Sequence, residues 1–353
     1  MTAHSYKKTA IPDLRRLIVA ALLLALAPSA LADGAPEAAP KDEDGQIQLF
    51  VENDMLAGTD RYYTNGIKFG VGKVLESVGK LLEPPSNRLL HWLTDAGPGT
   101  SVGLFVGQNM YTPRNIRIAE NQPYDRPWAA WLYLGGVAQR VKADRLDTVE
   151  LDVGMVGPAA LGEQVQSKWH ALIGAPQPQG WANQIPNEPA FLVAYLQKRR
   201  FGGGNIQVVP HAGVTVGTVM TLARVGGIVR AGHNMTGFGP DTVEPGGAML
   251  QSIRRAADGG KPSGFEWYLF AGGDYRLVVR NIFLDGTLFR DSPSVDRRNT
   301  VYDLTVGLAL RYKQLNFSLT RVRRSEEFTT PAGGVGAQTF YSLNVGWAFR
   351  RAP

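Results

Sequence analysis

Cysteine is absent from the 353 residues. That excludes disulfides, thiolate metal sites and cysteine nucleophiles at once. Long hydrophobic runs are missing too: Leu17 to Ala27 falls short of the roughly 20 apolar residues a spanning helix needs, and no later segment approaches that length. Histidine is scarce, with five in the chain. There is no Gly-x-Ser-x-Gly elbow, which argues against a Ser-His triad. Basic helices, zinc-finger spacing and an RNP-like aromatic pattern are also lacking, so nothing supports nucleic acid as a partner.

What stands at the N-terminus is a secretory signal. Lys7, Lys8, Arg15 and Arg16 precede the apolar run, and Ser29-Ala30-Leu31-Ala32 offers a small-x-small cleavage site before Asp33. Residues 1–32 therefore read as a signal peptide, and the Pro-rich, charged residues 33–44 as a disordered leader. Residues 45–353 form the expected domain. The formal charge of +6 owes half its size to the signal, which carries four basic residues and Asp13.

From Gly45 onward the pattern has period two. Gln46 to Glu52 alternates apolar and polar, Ile67, Phe69 and Val71 do the same, and similar runs recur at 101–109, 128–141, 148–156, 190–201, 205–217, 219–231, 265–289, 300–312, 315–328 and 339–350. A soluble sandwich also alternates. The whole set points elsewhere: about twelve long strands, 41 glycines, and aromatics near strand ends (Tyr62, Tyr63, Trp128, Trp131, Tyr268, Tyr302, Tyr312, Tyr341, Trp347). An all-β transmembrane antiparallel barrel has this apolar-out, polar-in pattern with aromatic girdles and an even strand count. The expected location is the bacterial outer membrane, and the expected state a monomer.

Strand parity then assigns the connections. With both ends of the barrel in the periplasm, 53–63, 110–127, 157–189, the turn near 218, 290–299 and 329–338 lie outside the cell. The connections 75–100, 142–147, 202–204, 232–264 and 313–314 lie inside, and 265–289 must be one long strand. Residues 75–94 read as an amphipathic periplasmic segment broken by Pro84-Pro85. Of the histidines, His4 leaves with the signal, His91 and His233 fall in inner connections, and His211 lies mid-strand. His170 alone reaches the outer rim.

Residues 157–170 predict a short helix in the third outer loop. Glu163, Gln166 and His170 share one face by spacing, Val165, Trp169, Leu172 and Ile173 form an apolar stripe beside it, and Gly174 ends it. That stripe can meet the barrel wall or lipid chains. A lone histidine on such a helix is more often structural than catalytic. Ser167 is the one serine near it and sits on the same helix, so a histidine activating water, with a cation holding the oxyanion, fits the residues better. The loop from Glu52 to Gly66 is crowded with carboxylates, amides and hydroxyls. It reads either as an Asx-rich turn or as a hard-cation site built on Asn53 and Asp54, without EF-hand spacing.

Several ordered motifs go further. Glu52-Asn53-Asp54, Thr59 to Gly66, Asn109-Met110-Tyr111-Thr112-Pro113, Asp125-Arg126-Pro127, Leu132-Tyr133-Leu134-Gly135, Gly154 to Pro158, Gly162 to Gln166, His170, Ile173-Gly174 and Gly180 to Gln184 together strongly resemble the outer-membrane lipid A 3'-O-deacylases, from about residue 45 to the C-terminus. The resemblance implies a twelve-stranded barrel with its site between the wall and an extracellular helix, and a calcium-dependent esterase that removes the 3'-linked acyloxyacyl group of lipid A. By the same resemblance His170 is the general base, Asn53 and Asp54 belong to the Ca2+ and oxyanion region, and Thr64 and Gln166 line and orient the site. The family carries an acid where this chain has Met55, and a lysine in the second outer loop where this chain offers Arg114 or Arg117 for a lipid phosphate. Arginine grips phosphate through a planar fork and lysine through a point charge. Two other readings stay open: a non-enzymatic barrel, either narrow porin or structural, and an outer-membrane phospholipase.

Overall fold

The computed structural model describes residues 45–75, 100–240 and 265–349. The signal peptide, the leader and most of the two long inner connections, including the amphipathic reading of 75–94 and His91, lie outside the described residues.

Twelve long strands form one closed antiparallel barrel: β1 Gly45–Asn53, β2 Tyr62–Leu75, β3 Thr100–Thr112, β4 Ala129–Lys142, β5 Arg145–Val156, β6 Glu188–Arg199, β7 Ile206–Gly217, β8 Met220–His233, β9 Phe265–Asn281, β10 Thr300–Tyr312, β11 Leu315–Arg324 and β12 Gln338–Phe349. Each strand pairs with its sequence neighbour, and β1 closes the cylinder on β12 from Gly45 opposite Phe349 to Asn53 opposite Tyr341. Closure leaves no free edge, the condition for crossing hydrocarbon with strands. No described helix is long and apolar enough to cross a membrane.

The alternation has the expected sense. On β1, Gln46, Gln48 and Glu52 are buried in the lumen while Ile47 and Leu49 face outward. Leu104 and Leu134 on the neighbouring wall are 69% and 65% exposed, a cost in water that disappears against acyl chains. The lumen is filled with paired charges. Lys68 donates to Glu150 at 2.9 Å, and a ladder of alternating sign runs down from the outer end: Arg126 to Glu327 at 2.9 Å, Arg324 to Asp303 at 2.8 Å, Arg276 to Asp303 at 2.6 Å and to Asp274 at 2.8 Å, and His211 to Asp274 at 2.7 Å. Buried charges are tolerable when each has such partners.

Some expected boundaries move. The reading of 265–289 as a single strand holds only to Asn281. There the Asn281 side chain accepts from Phe283 N at 3.0 Å and Asp285 accepts from Asn281 N at 2.7 Å. This cap starts a short helix, Ile282–Asp285, whose Ile282, Phe283 and Leu284 are buried in the outer mouth. Strand β11 likewise stops at Arg324 rather than 328, because Phe328–Thr330 joins a small outer sheet with Asp296–Arg297 and Gly333–Gly334. His233 is the last residue of β8 rather than part of the connection after it.

Candidate functional site

The helix of the third outer loop, α1, spans Gly162–Ile173. Glycine at its first position is what lets it dock. A Cβ there would lie 2.5 Å from the Ala130 Cβ and 2.6 Å from the Trp181 ring, so the helix meets the wall backbone-first. Met110, Ile116, Trp128, Ala130, Ala160 and Trp181 pack as one buried cluster under this junction. Gln108 donates to Ala160 O at 2.6 Å and Gly157 N to Ala130 O at 3.0 Å, tying the entry to α1 to β3 and β4. Gly174, at φ 70°, closes the helix in the left-handed conformation that glycine adopts freely.

The stripe Val165, Trp169, Leu172 and Ile173 is exposed, Leu172 to 77%, while Gln166 and His170 are buried among residues of the outer loops. Of the two surfaces open to the stripe, the structure therefore selects the outer one. Glu163 does not join the buried pair despite its spacing. It is exposed in the first turn, where a carboxylate complements the helix N-terminus.

The His170 ring is held from both sides. Its Nδ1 lies 2.5 Å from the carbonyl oxygen of Pro176. A carbonyl only accepts, so Nδ1 carries the proton and Nε2 is the basic nitrogen of the neutral ring. Nε2 faces Asp60 Oδ2 at 3.4 Å. Asp60 Oδ1 accepts from Gln166 Nε2 at 3.3 Å, and Gln166 Oε1 accepts from the Trp181 indole at 2.8 Å. Burial raises the Asp60 carboxyl above the ordinary range, opposed by the imidazole and by Gln166.

The first outer loop supplies the rest. Asn53 ends β1 with both amide atoms engaged: Oδ1 accepts from Met55 N at 2.7 Å and Nδ2 donates to Thr64 O at 3.1 Å. This is the Asx-turn geometry. Asp54 is fully buried. Its Oδ2 accepts from Thr59 Oγ1 and from Arg61 N, each at 2.8 Å, whereas its Oδ1 has no hydrogen-bond partner. Burial pushes the carboxyl up to about 7, against the hydrogen bonds from Arg61 and Thr59. A buried carboxylate oxygen without a donor suits a hard cation, and Asp54 is the residue that fits one. No cluster of three or more His, Asp or Glu that could hold a metal occurs among the described residues, so further ligands would be backbone or amide oxygens, water or substrate.

Thr64 sits where the register of β2 against β3 shifts between Tyr63 and Asn65. The irregularity buries its hydroxyl 2.6 Å from that of Thr112, the re-aiming that bulges provide. Arg114 and Arg117 lie on the exposed second loop. Arg114 donates its amide to Asp125 at 2.9 Å and its guanidinium to Val335 O at 3.3 Å, and the Arg117 amide donates to Asn115 at 3.0 Å. The contacts thus join Asn53 to Thr64, and Asp60 to Gln166 and His170, with Asp54 on the same loop. Asp60 is the member that sequence reasoning passed over. Its one signal was a second acid six residues after Asp54 in the same loop.

A family model described as outer membrane protein LpxR matches residues 17–349. Among solved structures, LpxR from Salmonella typhimurium is similar with a TM-score of 0.65 at 22% identity, covering 86% of this chain and 100% of that one. The β domain of the Bordetella autotransporter BrkA covers 87% of this chain and 99% of its own at 11% identity, with a TM-score of 0.41. No curated protein matches.

Proposed function

This chain belongs to the LpxR family of outer membrane proteins, and from that premise we propose that it is a lipid A 3'-O-deacylase, an esterase working on the outer leaflet from the rim of its barrel. The observation that carries the reading is the pairing of His170 with its loop partners. A ring whose Nδ1 is committed to Pro176 O presents Nε2 for proton transfer beside a buried acidic loop.

In this reading Nε2 of His170 takes a proton from water as the water oxygen attacks the ester carbonyl carbon. The proton then passes to the departing alkoxide, so atoms and charge balance. Gln166 and Thr64 orient the groups around it, and Asn53 holds the loop in its turn. The proposed cofactor is Ca2+, held by Asp54 through the oxygen that has no donor. Bound there, it would supply polarisation of the carbonyl and stabilisation of the developing negative charge, an effect worth about 3 kcal/mol in sites of this kind. Arg114 and Arg117 are candidates for a lipid phosphate, since both are exposed on the same outer side.

Mass spectrometry of lipid A from cells expressing the chain is the test. Loss of the 3'-acyloxyacyl mass is expected with the native chain, and intact lipid A with His170→Ala. Equal deacylation by both, or by neither, overturns the reading.

A further inference from the structure

We propose that Asp60 is the positioning residue of His170, a carboxylate that stabilises the imidazolium at the same nitrogen that accepts the proton from water. The proposal rests on the hydrolytic reading above and adds to it the residue that sets how strongly the base works.

The geometry is unlike the usual arrangement, in which a carboxylate holds one ring nitrogen while the other does the chemistry. Here a backbone carbonyl, Pro176 O, takes the orienting position at Nδ1. The carboxylate stands at Nε2 instead, with Oδ2 at 3.4 Å. In the neutral ring that nitrogen carries a lone pair, which a carboxylate oxygen repels. Once Nε2 is protonated the contact becomes a charge-assisted hydrogen bond. The 3.4 Å gap is one that the new N–H can shorten. Asp60 therefore favours the charged product of proton abstraction over its neutral starting state.

Asp60 is also held for this task. Gln166 donates to its other oxygen, and Trp181 fixes the Gln166 amide so that its NH2 faces Asp60. Asp54 on the same loop feels Asp60 as a like charge. Gln166, Trp181 and the Pro176 carbonyl are neutral. The guanidinium of Arg61 is turned onto the Tyr62 ring at 5.0 Å.

Two variants and two readouts test the assignment. Asp60→Asn keeps the shape and removes the charge, and Asp60→Glu restores it. Losing a charge-assisted hydrogen bond in the transition state costs about one to two powers of ten in rate. Asp60→Asn is therefore expected to lower kcat roughly ten- to a hundredfold with KM within about twofold, and to move the acidic limb of the rate profile to lower pH. Asp60→Glu should recover most of the rate. The second readout needs no substrate. In ring-15N-labelled protein in micelles, a low-field proton on Nε2 of His170 is expected in acidic solution, and Asp60→Asn should lose it. An unchanged rate profile and an unchanged Nε2 proton in Asp60→Asn overturn the assignment. A chain that shows the Asp60-dependent proton but leaves lipid A intact overturns the hydrolytic reading and retains the pair.

Discussion

The indole N–H of Trp181 donates to Gln166 Oε1 at 2.8 Å while Gln166 Nε2 donates to Asp60 Oδ1 at 3.3 Å, so the two bonds fix the amide between them. Trp181→Phe keeps a ring in the buried cluster beneath α1 and deletes the donor. Gln166 then keeps only its 3.3 Å bond to Asp60 and holds that carboxylate less firmly. A net hydrogen bond is worth about 1 kcal/mol, so a three- to tenfold loss of fatty-acid release is expected. The barrel's resistance to SDS at room temperature should be unchanged.

Gly162 tests the docking of the helix. In Gly162→Val the added carbons start 2.5 Å from Ala130 and 2.6 Å from Trp181, and overpacking of this kind costs about 1–3 kcal/mol. The helix rather than the sheet should yield, because β3 and β4 are fixed by ladder bonds on both sides. The expected result is a folded barrel with strongly reduced activity and faster proteolysis between residues 157 and 187.

Asp54 makes cation binding depend on pH in a fixed direction. Its carboxyl is raised from 3.8 to about 7, so without a cation it favours the fold at low pH, and that contribution is lost as pH rises toward 7. Above about 7 the carboxylate is ionised, buried and short of a partner. Calcium is therefore expected to raise the unfolding temperature at pH 8 and to have little effect at pH 5, with about a tenfold drop in apparent affinity per unit below 7. Asp54→Asn should remove the calcium response. A calcium effect of equal size at both pH values would refute the assignment.

Much of this was legible in the sequence because the barrel writes its geometry in period two. Gln46, Gln48 and Glu52 against Ile47 and Leu49 give the lumen and lipid faces of β1 directly, and parity then puts His170 on the side of Asn53 and Asp54. The failures have local causes. Ile282 to Leu284 look like continuing strand because an apolar run is shared by buried strands and buried helices, and the Asn281 cap that ends β9 is a single residue without periodic signal. The strand irregularity at Thr64 comes from pairing with β3 and has no signature in the chain itself. Asp60 was obscured by its setting: loop spacing has no period, so nothing separated it from its acidic neighbour, and its partner lies 110 residues away.

Asp303 is the hinge of the lumenal ladder, accepting from Arg276 at 2.6 Å and from Arg324 at 2.8 Å. Asp303→Ala leaves both guanidinium groups buried beside an empty site. Removing one partner of a buried charge pair costs about 3–5 kcal/mol, so this variant is expected to unfold on SDS gels well below the native temperature. Asp285→Ala is the contrast. It takes its partner from the more exposed Arg297–Asp285 pair at 3.0 Å and should cost less.

A porin needs an open lumen, and this one is obstructed at three levels. In the outer mouth Phe283 stacks on Tyr111 with ring centroids 4.0 Å apart, and Arg126 covers the same Tyr111 ring at 4.5 Å. Below them the ladder from Glu327 to His211 crosses the interior. Toward the inner end, Met235 and Phe238 are buried, Met235 against Tyr268 and Phe270 and Phe238 against Leu146 and Val209. Among the described residues a cavity of about 80 Å³ lies between ladder and inner segment, space for a few waters. The purified chain in a planar bilayer should therefore show no steady conductance. Phe283→Ala should not open it, since the charge ladder persists beneath the removed ring. Ohmic steps of porin size from the native chain would restore the channel reading and count against a lumen built to hold the rim site rigid.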